Sequence, residues 1–221
     1  MKRFFFISLS LLLISINGFA QREGRMVGST FVNPAKAAKK PLGSTYTQTN
    51  FSAAKVENLN LQAFMRYNVF NDEFEFITPK NDTLVLDKIE DFSTVVFLGN
   101  KRKYCLTVYT NDRNSLENGY LIELHNKGNF TLYKKENIVF TAEKIAKTTL
   151  EKDMPAKYSK GSDTYFLKNS ANGTMAFPDS KKALTKMFPD RKQAIEAFIK
   201  ENKIDLDKEP DMIKMIDFLA S

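Results

Sequence analysis

Three carboxylates beside one turn are the nearest approach to a reactive cluster in this chain. Asp72 and Glu73 are adjacent, and Glu75 follows two positions later. On a strand, Glu73 and Glu75 project from the same side, about 7 Å apart. Glycoside hydrolysis needs two carboxyl groups that face each other across a cleft, which neighbours on one strand face do not do. We therefore expect no catalytic residue: Glu73 and Glu75 are the candidates to test, and a solvated sheet face is their expected place.

The same turn also has oxygen donors of the type that calcium prefers. Asp72 could join Glu73 and Glu75 as a ligand. We expect a turn residue at Asp72 and no metal site. The other nearby acidic residues do not follow calcium-loop spacing and are interpreted as surface: Asp82, Asp87, Glu90 and Asp91. The chain has no glycine-rich phosphate loop, so we expect no cofactor.

The sequence contains few of the residues that nucleophilic catalysis uses. His125 is the only histidine and Cys105 the only cysteine. A Ser-His-Asp or Cys-His site would have to use His125, which we expect to be exposed or hydrogen-bonded. Lys103 lies on the same predicted strand face as Cys105 and could lower the pKa of the thiol. We expect Cys105 to be inert, with no disulfide partner.

The first twenty residues have the pattern of a secretory signal peptide. Lys2 and Arg3 precede an apolar run from Phe4 to Ile16, and small residues at Gly18 and Ala20 favour cleavage before Gln21. The run is short for a membrane span of about 20 residues, so an uncleaved anchor is the less favoured alternative. We expect an exported protein, periplasmic or secreted, with residues 21–42 as a flexible leader.

The charge balance argues against a nucleic-acid partner. The chain carries a net charge of +7, and Lys2 and Arg3 account for two of those charges. The short basic clusters are scattered along the sequence, whereas nucleic-acid proteins usually concentrate them on one face. We expect solvated turns, with peripheral contact to an anionic membrane surface as the alternative.

Residues 43–178 have the alternation of an antiparallel β-rich domain. Polar turns separate apolar runs at intervals of about ten residues, which predicts a meander, perhaps rolled into a half-barrel. The predicted strands are 61–70, 73–78, 83–86, 94–98, 103–109, 119–125, 130–134 and 138–140, followed by a hairpin of 165–168 with 174–177.

The C-terminal segment, residues 179–221, has helical periodicity. Asp179 or Ser180 can cap a first helix, Asp190 a second, and Pro210 suits the first residue of a third. Phe198 lies at helical spacing from Ile195, so we expect it in the core. The predicted class is α+β: an antiparallel meander followed by α-helices packed on it.

Several short motifs resemble a family of secreted proteins of unknown function common in Bacteroidetes. The hairpin Arg66-Tyr67-Asn68 with Asn71-Asp72-Glu73-Phe74-Glu75 is similar to the family's most recognisable motif. Further similar stretches cover 43–220: Gly43-Ser44-Thr45-Tyr46, Phe51, Ala54-Lys55-Val56, Gly119-Tyr120, Glu123-Leu124, Leu132-Tyr133-Lys134, Phe188, Asp190-Arg191, Phe198-Ile199-Lys200, Asn202-Lys203 and Asp211-Met212. The resemblance implies export and a β-rich body with terminal helices, and it implies no catalytic residues.

Two functions from different classes remain open. The first is a non-enzymatic exported protein that binds an envelope partner or an apolar ligand, which a concave sheet lined by Phe and Tyr would favour. The alternative is a carboxylate-dependent hydrolase of envelope material, which a cleft joining Glu73 and Glu75 to Asp87 or Asp91 would favour.

Overall fold

A computed structural model describes residues 40–111, 113–148, 150–170 and 173–221. The predicted signal peptide and the leader as far as residue 39 lie outside the described residues. Leu42 already belongs to the folded part, because its N–H donates to the carbonyl of Ala156 and its carbonyl accepts from the N–H of Tyr158, both at 2.8 Å. Folded structure therefore begins slightly before residue 43, the predicted boundary.

The fold is α+β, with one ten-stranded antiparallel sheet that does not close and helices at the C-terminus. This confirms the predicted class. The strands are β1 (Ser52–Val56), β2 (Leu61–Asn68), β3 (Glu73–Ile77), β4 (Thr83–Val85), β5 (Thr94–Phe97), β6 (Lys103–Thr110), β7 (Leu116–Lys127), β8 (Phe130–Lys135), β9 (Ile138–Thr141), β10 (Lys157–Lys160), β11 (Thr164–Asn169) and β12 (Gly173–Ala176). The helices are α1 (Lys181–Met187), α2 (Lys192–Asn202) and α3 (Glu209–Ala220).

The strand order departs from a simple meander at β1. The order is β12-β11-β8-β7-β6-β5-β1-β2-β3-β4, so β1 lies between β2 and β5. The chain must therefore cross from the sheet edge at β4 back to β5, through a short 3-10 turn at Glu90–Phe92. β7 begins at Leu116, three residues before the predicted start of that strand at residue 119.

A two-stranded arm is inserted between β8 and β11, which pair directly with each other. We call residues 138–160 the arm: β9, β10 and the connection between them. The Tyr158 ring anchors its base, with centroids 5.1 Å from Phe70 and 5.0 Å from Phe140. The arm is thus an addition to the sheet and contributes no strand to it.

Two continuous hydrophobic clusters form the main core. The first lies among β1–β3 and β5–β7 and is rich in aromatic side chains, including Tyr67, Phe74 and Tyr120. The second lies between the helices and strands β8 and β11, and Leu124 packs against both clusters. Leu124 is the extra residue of a β-bulge between Glu123 and His125, which turns it toward the helices.

The helix starts follow the sequence prediction in part. The Ser180 side chain caps α1 by accepting from the N–H of Ala183 at 3.2 Å, as expected. Pro210 is the second residue of α3, one position later than expected. Asp190 does not cap α2: it lies in a 3-10 turn, and α2 has no side-chain N-cap. Its neighbour Arg191 instead donates to carbonyls at the end of α3.

Phe198 differs from the core position predicted for it. The side chain is half-buried and its ring stacks on Phe218, with centroids 4.2 Å apart, while Ile195 is the fully buried residue of α2. Phe198→Ala should therefore cost about 1–2 kcal/mol, less than the 3–5 kcal/mol of a core Phe. Urea unfolding measures this, with exposed Gln193→Ala as the control for the same helix. A loss above about 3 kcal/mol contradicts the half-buried position.

Candidate functional site

Asp72, the candidate metal ligand, is occupied by protein donors. It lies in the turn after β2 with φ of 57°, and its carboxylate reaches β7. Oδ1 accepts from the Tyr67 hydroxyl at 2.5 Å and from the Tyr120 N–H at 3.0 Å. Oδ2 pairs with Lys88 at 2.6 Å. The carboxylate therefore joins three separate parts of the chain, and Asp72 lies in a turn as the sequence analysis expected.

Gly119 leaves the space that Asp72 uses. A Cβ atom at Gly119 would lie 2.4 Å from Oδ2 of Asp72, closer than any real contact. Along β7, pairing with β8 starts only at Ile122. Before Ile122, the backbone N–H and C=O groups that face away from β6 therefore need other partners. Asp72 takes the N–H of Tyr120, and Lys88 Nζ lies 3.5 Å from the carbonyl oxygen of Asn118. This arrangement fastens the β2–β3 turn to β7.

Glu75 is buried, with 9% of its surface exposed, which corrects the solvated face predicted for it. Its Oε2 lies 2.6 Å from Nη2 and 2.8 Å from Nε of Arg66, and its Oε1 accepts from the Tyr46 hydroxyl at 2.7 Å. The Arg66 guanidinium lies between the rings of Tyr46 and Phe51. Glu75 thus holds the segment before β1 onto the sheet.

Glu75→Gln should make stability less dependent on acid pH. Burial alone would raise the pKa of Glu75, but hydrogen bonds from Tyr46, Arg66 and Asn68 outweigh it and lower that pKa. A carboxylate with a lowered folded-state pKa stabilises the protein above its unfolded pKa of about 4.3, and this stabilisation disappears as pH falls through the folded value. We expect Glu75→Gln to cost about 1.5–3 kcal/mol at pH 7 and progressively less below pH ~4.

The matched control for that measurement is Glu73→Gln. Glu73 lies on the same strand and its side chain has no hydrogen bond or ion pair to another described residue, so Glu73→Gln should cost less than about 0.5 kcal/mol. Urea midpoints of both variants between pH 3 and 7 give the comparison. Equal, pH-independent losses of unfolding free energy in the two variants would show that the Arg66–Glu75 ion pair does not stabilise the protein.

The acidic candidates Asp72 and Glu75 do not converge on one site. Asp72 points at β7, while Glu75 points at the segment before β1. Asp87 and Asp91 are exposed, and within the described part of the chain neither bonds to Glu73 or Glu75. In the same part of the chain, no group of three His, Cys, Asp or Glu side chains could hold a metal ion. The arrangement offers structural ion pairs and not an acid–base pair.

Cys105 and His125 also have structural partners. Burial and the charge of Glu123 raise the pKa of the Cys105 thiol to about 12, although Lys103 acts in the opposite direction. A protonated thiol is a poor nucleophile. His125 Nε2 lies 2.9 Å from Oδ1 of Asp217 on α3. Among the described residues, no Ser, Thr or Cys side chain bonds to His125.

The core side of the sheet leaves little room for a ligand. A partly open cavity beside Arg66, Arg102 and Glu136 has a volume of about 10 Å³, which is room for one water molecule. The aromatic side chains that could have lined an apolar pocket pack against each other instead: Phe74 lies 4.8 Å from Tyr120 and 4.9 Å from Tyr67, between ring centroids. The predicted Phe and Tyr are thus core and not pocket wall.

An open polar groove of about 300 Å³ lies on the other face of the sheet. Its central groups are already paired: Glu117 accepts from Tyr109 at 2.7 Å and from Asn111 at 2.6 Å, and Lys135 contacts the Tyr109 hydroxyl. Sequence reasoning missed this groove, because the residues come from different strands and the link between Tyr109 and Glu117 depends on the β6–β7 register.

The arm presents several exposed apolar side chains near one loop. Every described residue from 139 to 155 is exposed except Ala146. Leu150 is 95% exposed, Ile145 67% and Met154 55%. Monomeric proteins expose single apolar residues routinely, but a group on one protruding element indicates a contact surface. The sequence analysis left residues 144–178 partly unassigned and did not single out these side chains.

Comparison with protein-family models, with curated proteins and with solved structures finds no match. The resemblance to the secreted Bacteroidetes family therefore stays a prediction. None of the helices among the described residues is both long enough and apolar enough to cross a membrane.

Proposed function

We propose that this chain is an exported, non-enzymatic binding protein and that the arm is its contact surface for a component of the cell envelope. The observation that carries the proposal is the exposure of Ile145, Leu150 and Met154 on an element that adds nothing to the sheet. Exposing such side chains to water is unfavourable unless a partner covers them.

Export is supported by the sequence of residues 1–20, with its basic start, apolar run and small residues before Gln21. An apolar small ligand is less favoured than a larger partner, because the cavity beside Arg66, Arg102 and Glu136 has room for only one water molecule. The hydrolase alternative gains nothing from the geometry, since Glu75 is held by Arg66 and Asp72 by Lys88.

A photo-crosslinking amino acid at position 150 tests the proposal in intact cells of the native host. We expect an envelope adduct from position 150 and none from position 116, where Leu116 is also a leucine and is 76% exposed but lies outside the arm. Mass spectrometry then identifies the adduct as protein or lipid. Equal labelling from both positions, or none from either, contradicts the assignment of the arm as contact surface.

A further inference from the structure

We propose that the tip of the arm inserts Ile145, Leu150 and Met154 into the interfacial layer of a membrane that contains anionic phospholipid. The inference rests on the proposed function and names the envelope component as lipid. Three features of the arm favour lipid over a protein groove: the directions of its apolar side chains, the pairing of its backbone, and its lysines.

The apolar side chains point in several directions. Lys144 and Met154 form a directly opposed pair, each N–H donating to the other's carbonyl at 2.8 Å, so their side chains share one face. Ile145, the next residue, lies outside any strand and its side chain is 67% exposed. Leu150 lies in the end turn, beside the bond from the Glu151 N–H to the Thr148 carbonyl. A groove in a protein covers one face of a strand pair, whereas lipid surrounds an inserted tip.

Two backbone N–H groups at the tip have hydrogen-bond acceptors within the arm and do not depend on water. Asp153 Oδ1 accepts from the N–H of Ala146 at 2.8 Å, and Glu151 Oε2 accepts from the N–H of Lys147 at 3.2 Å. Unpaired backbone groups are costly once water is removed. The same two acidic side chains are polar, which limits insertion to the headgroup region and its boundary with the acyl chains, a depth of about 5–10 Å.

The lysines supply charge complementarity to an anionic surface. Lys144, Lys147 and Lys152 are exposed near the tip, and Lys157 and Lys160 at the base. The acidic residues of the arm are Glu143, Glu151 and Asp153, and the last two turn back onto the arm's own N–H groups. A lysine can place its stem along the apolar layer and its ammonium among the phosphates. The lysines therefore select anionic over neutral lipid.

Flotation of the mature chain with lipid vesicles tests the inference. We expect binding to vesicles of phosphatidylethanolamine and phosphatidylglycerol, and little binding to pure phosphatidylcholine. In the triple variant Ile145→Ser, Leu150→Ser, Met154→Ser, the fraction of protein bound to vesicles should fall about tenfold. Leu116→Ser should keep wild-type binding. The variant Lys144→Gln, Lys147→Gln, Lys152→Gln should bind anionic vesicles several-fold less and with weaker salt dependence. Because the changed apolar side chains are exposed, urea midpoints should match wild type and confirm folding.

Several outcomes overturn the lipid inference. One is a wild-type chain that floats with neither vesicle, and another is a triple Ser variant that floats as wild type does. A protein adduct at position 150 without flotation leaves the binding function standing with a protein partner. A wild-type dimer that the triple Ser change dissociates, again without flotation, assigns the arm to a second copy. Failure of flotation together with the absence of any adduct removes both proposals.

Discussion

Phe74→Ala is expected to destabilise the fold by about 3–5 kcal/mol. Phe74 is the second residue of β3 and is fully buried. Its ring centroid lies 4.8 Å from that of Tyr120, 4.9 Å from Tyr67 and 5.2 Å from Tyr104. The Phe74 ring thus packs against side chains from three other strands, β2, β6 and β7. Typical domains have a free energy of unfolding of about 5–15 kcal/mol, so the variant should be partly unfolded at elevated temperature.

The urea midpoint measures the effect, with Phe64→Ala as the matched control. Phe64 is on the neighbouring strand β2 of the same hairpin, but its side chain is exposed, so its loss should cost less than about 1 kcal/mol. Phe74→Leu should fall between the two because it leaves a smaller cavity. Similar midpoints for Phe74→Ala and Phe64→Ala would mean that the hairpin does not pack against β6 and β7.

The alternation of side chains along β3 could be predicted from the sequence, but the environment of each face could not. Period-two alternation places Phe74 on one face, and its apolar character predicts the core. Glu75 projects from the other face and its charge predicts solvent. The prediction fails because Tyr46 and Phe51 cover that face. The sequence of β3 gives no sign that this distant segment packs on it.

Long-range pairing is the part of the fold that local patterns leave open. Strands β2 and β5 are recognisable by themselves as apolar and β-prone, and turn signals predict which neighbours in sequence form hairpins. Strand β1 is not among the predicted strands. The position of β1 between β2 and β5 depends instead on which strand pairing forms more backbone hydrogen bonds and buries more apolar surface. Gly119 is similar: a glycine within a strand indicates a close approach, but not that Asp72 is what approaches.

Asp72→Ala is expected to cost about 3–5 kcal/mol, more than most polar substitutions in a turn. The change leaves the hydroxyl of Tyr67 and the N–H of Tyr120 without their acceptor, and it leaves Lys88 without its counter-ion. Burial and the charge of Asp72 hold the pKa of Tyr67 well above its usual range, so that hydroxyl stays protonated and needs an acceptor. Asp72→Asn keeps an acceptor oxygen and should cost about 1–2 kcal/mol.

Backbone conformation has to be separated from these lost bonds. Asp72 has a positive φ, which Asn and Asp tolerate better than Ala does. Asn60 is exposed and has a similar φ of 51°, so Asn60→Ala measures the conformational cost without a carboxylate. That cost should be about 1 kcal/mol. If Asp72→Ala loses no more stability than Asn60→Ala, the contacts of the carboxylate contribute nothing.

A double-mutant cycle with Gly119→Ala isolates the contact between the turn and β7. In the wild-type background the new methyl group overlaps Oδ2 of Asp72, so Gly119→Ala should displace the carboxylate and cost several kcal/mol, of the order of Asp72→Ala itself. Once Asp72 is Ala, the methyl group has space beside the turn, and the second substitution should cost much less. The two costs are therefore expected to be non-additive by about 1–3 kcal/mol. Additive costs would mean that Asp72 does not hold the turn against Gly119, whereas the expected coupling identifies this carboxylate as a fastening of the sheet and explains why it is not free to bind a metal.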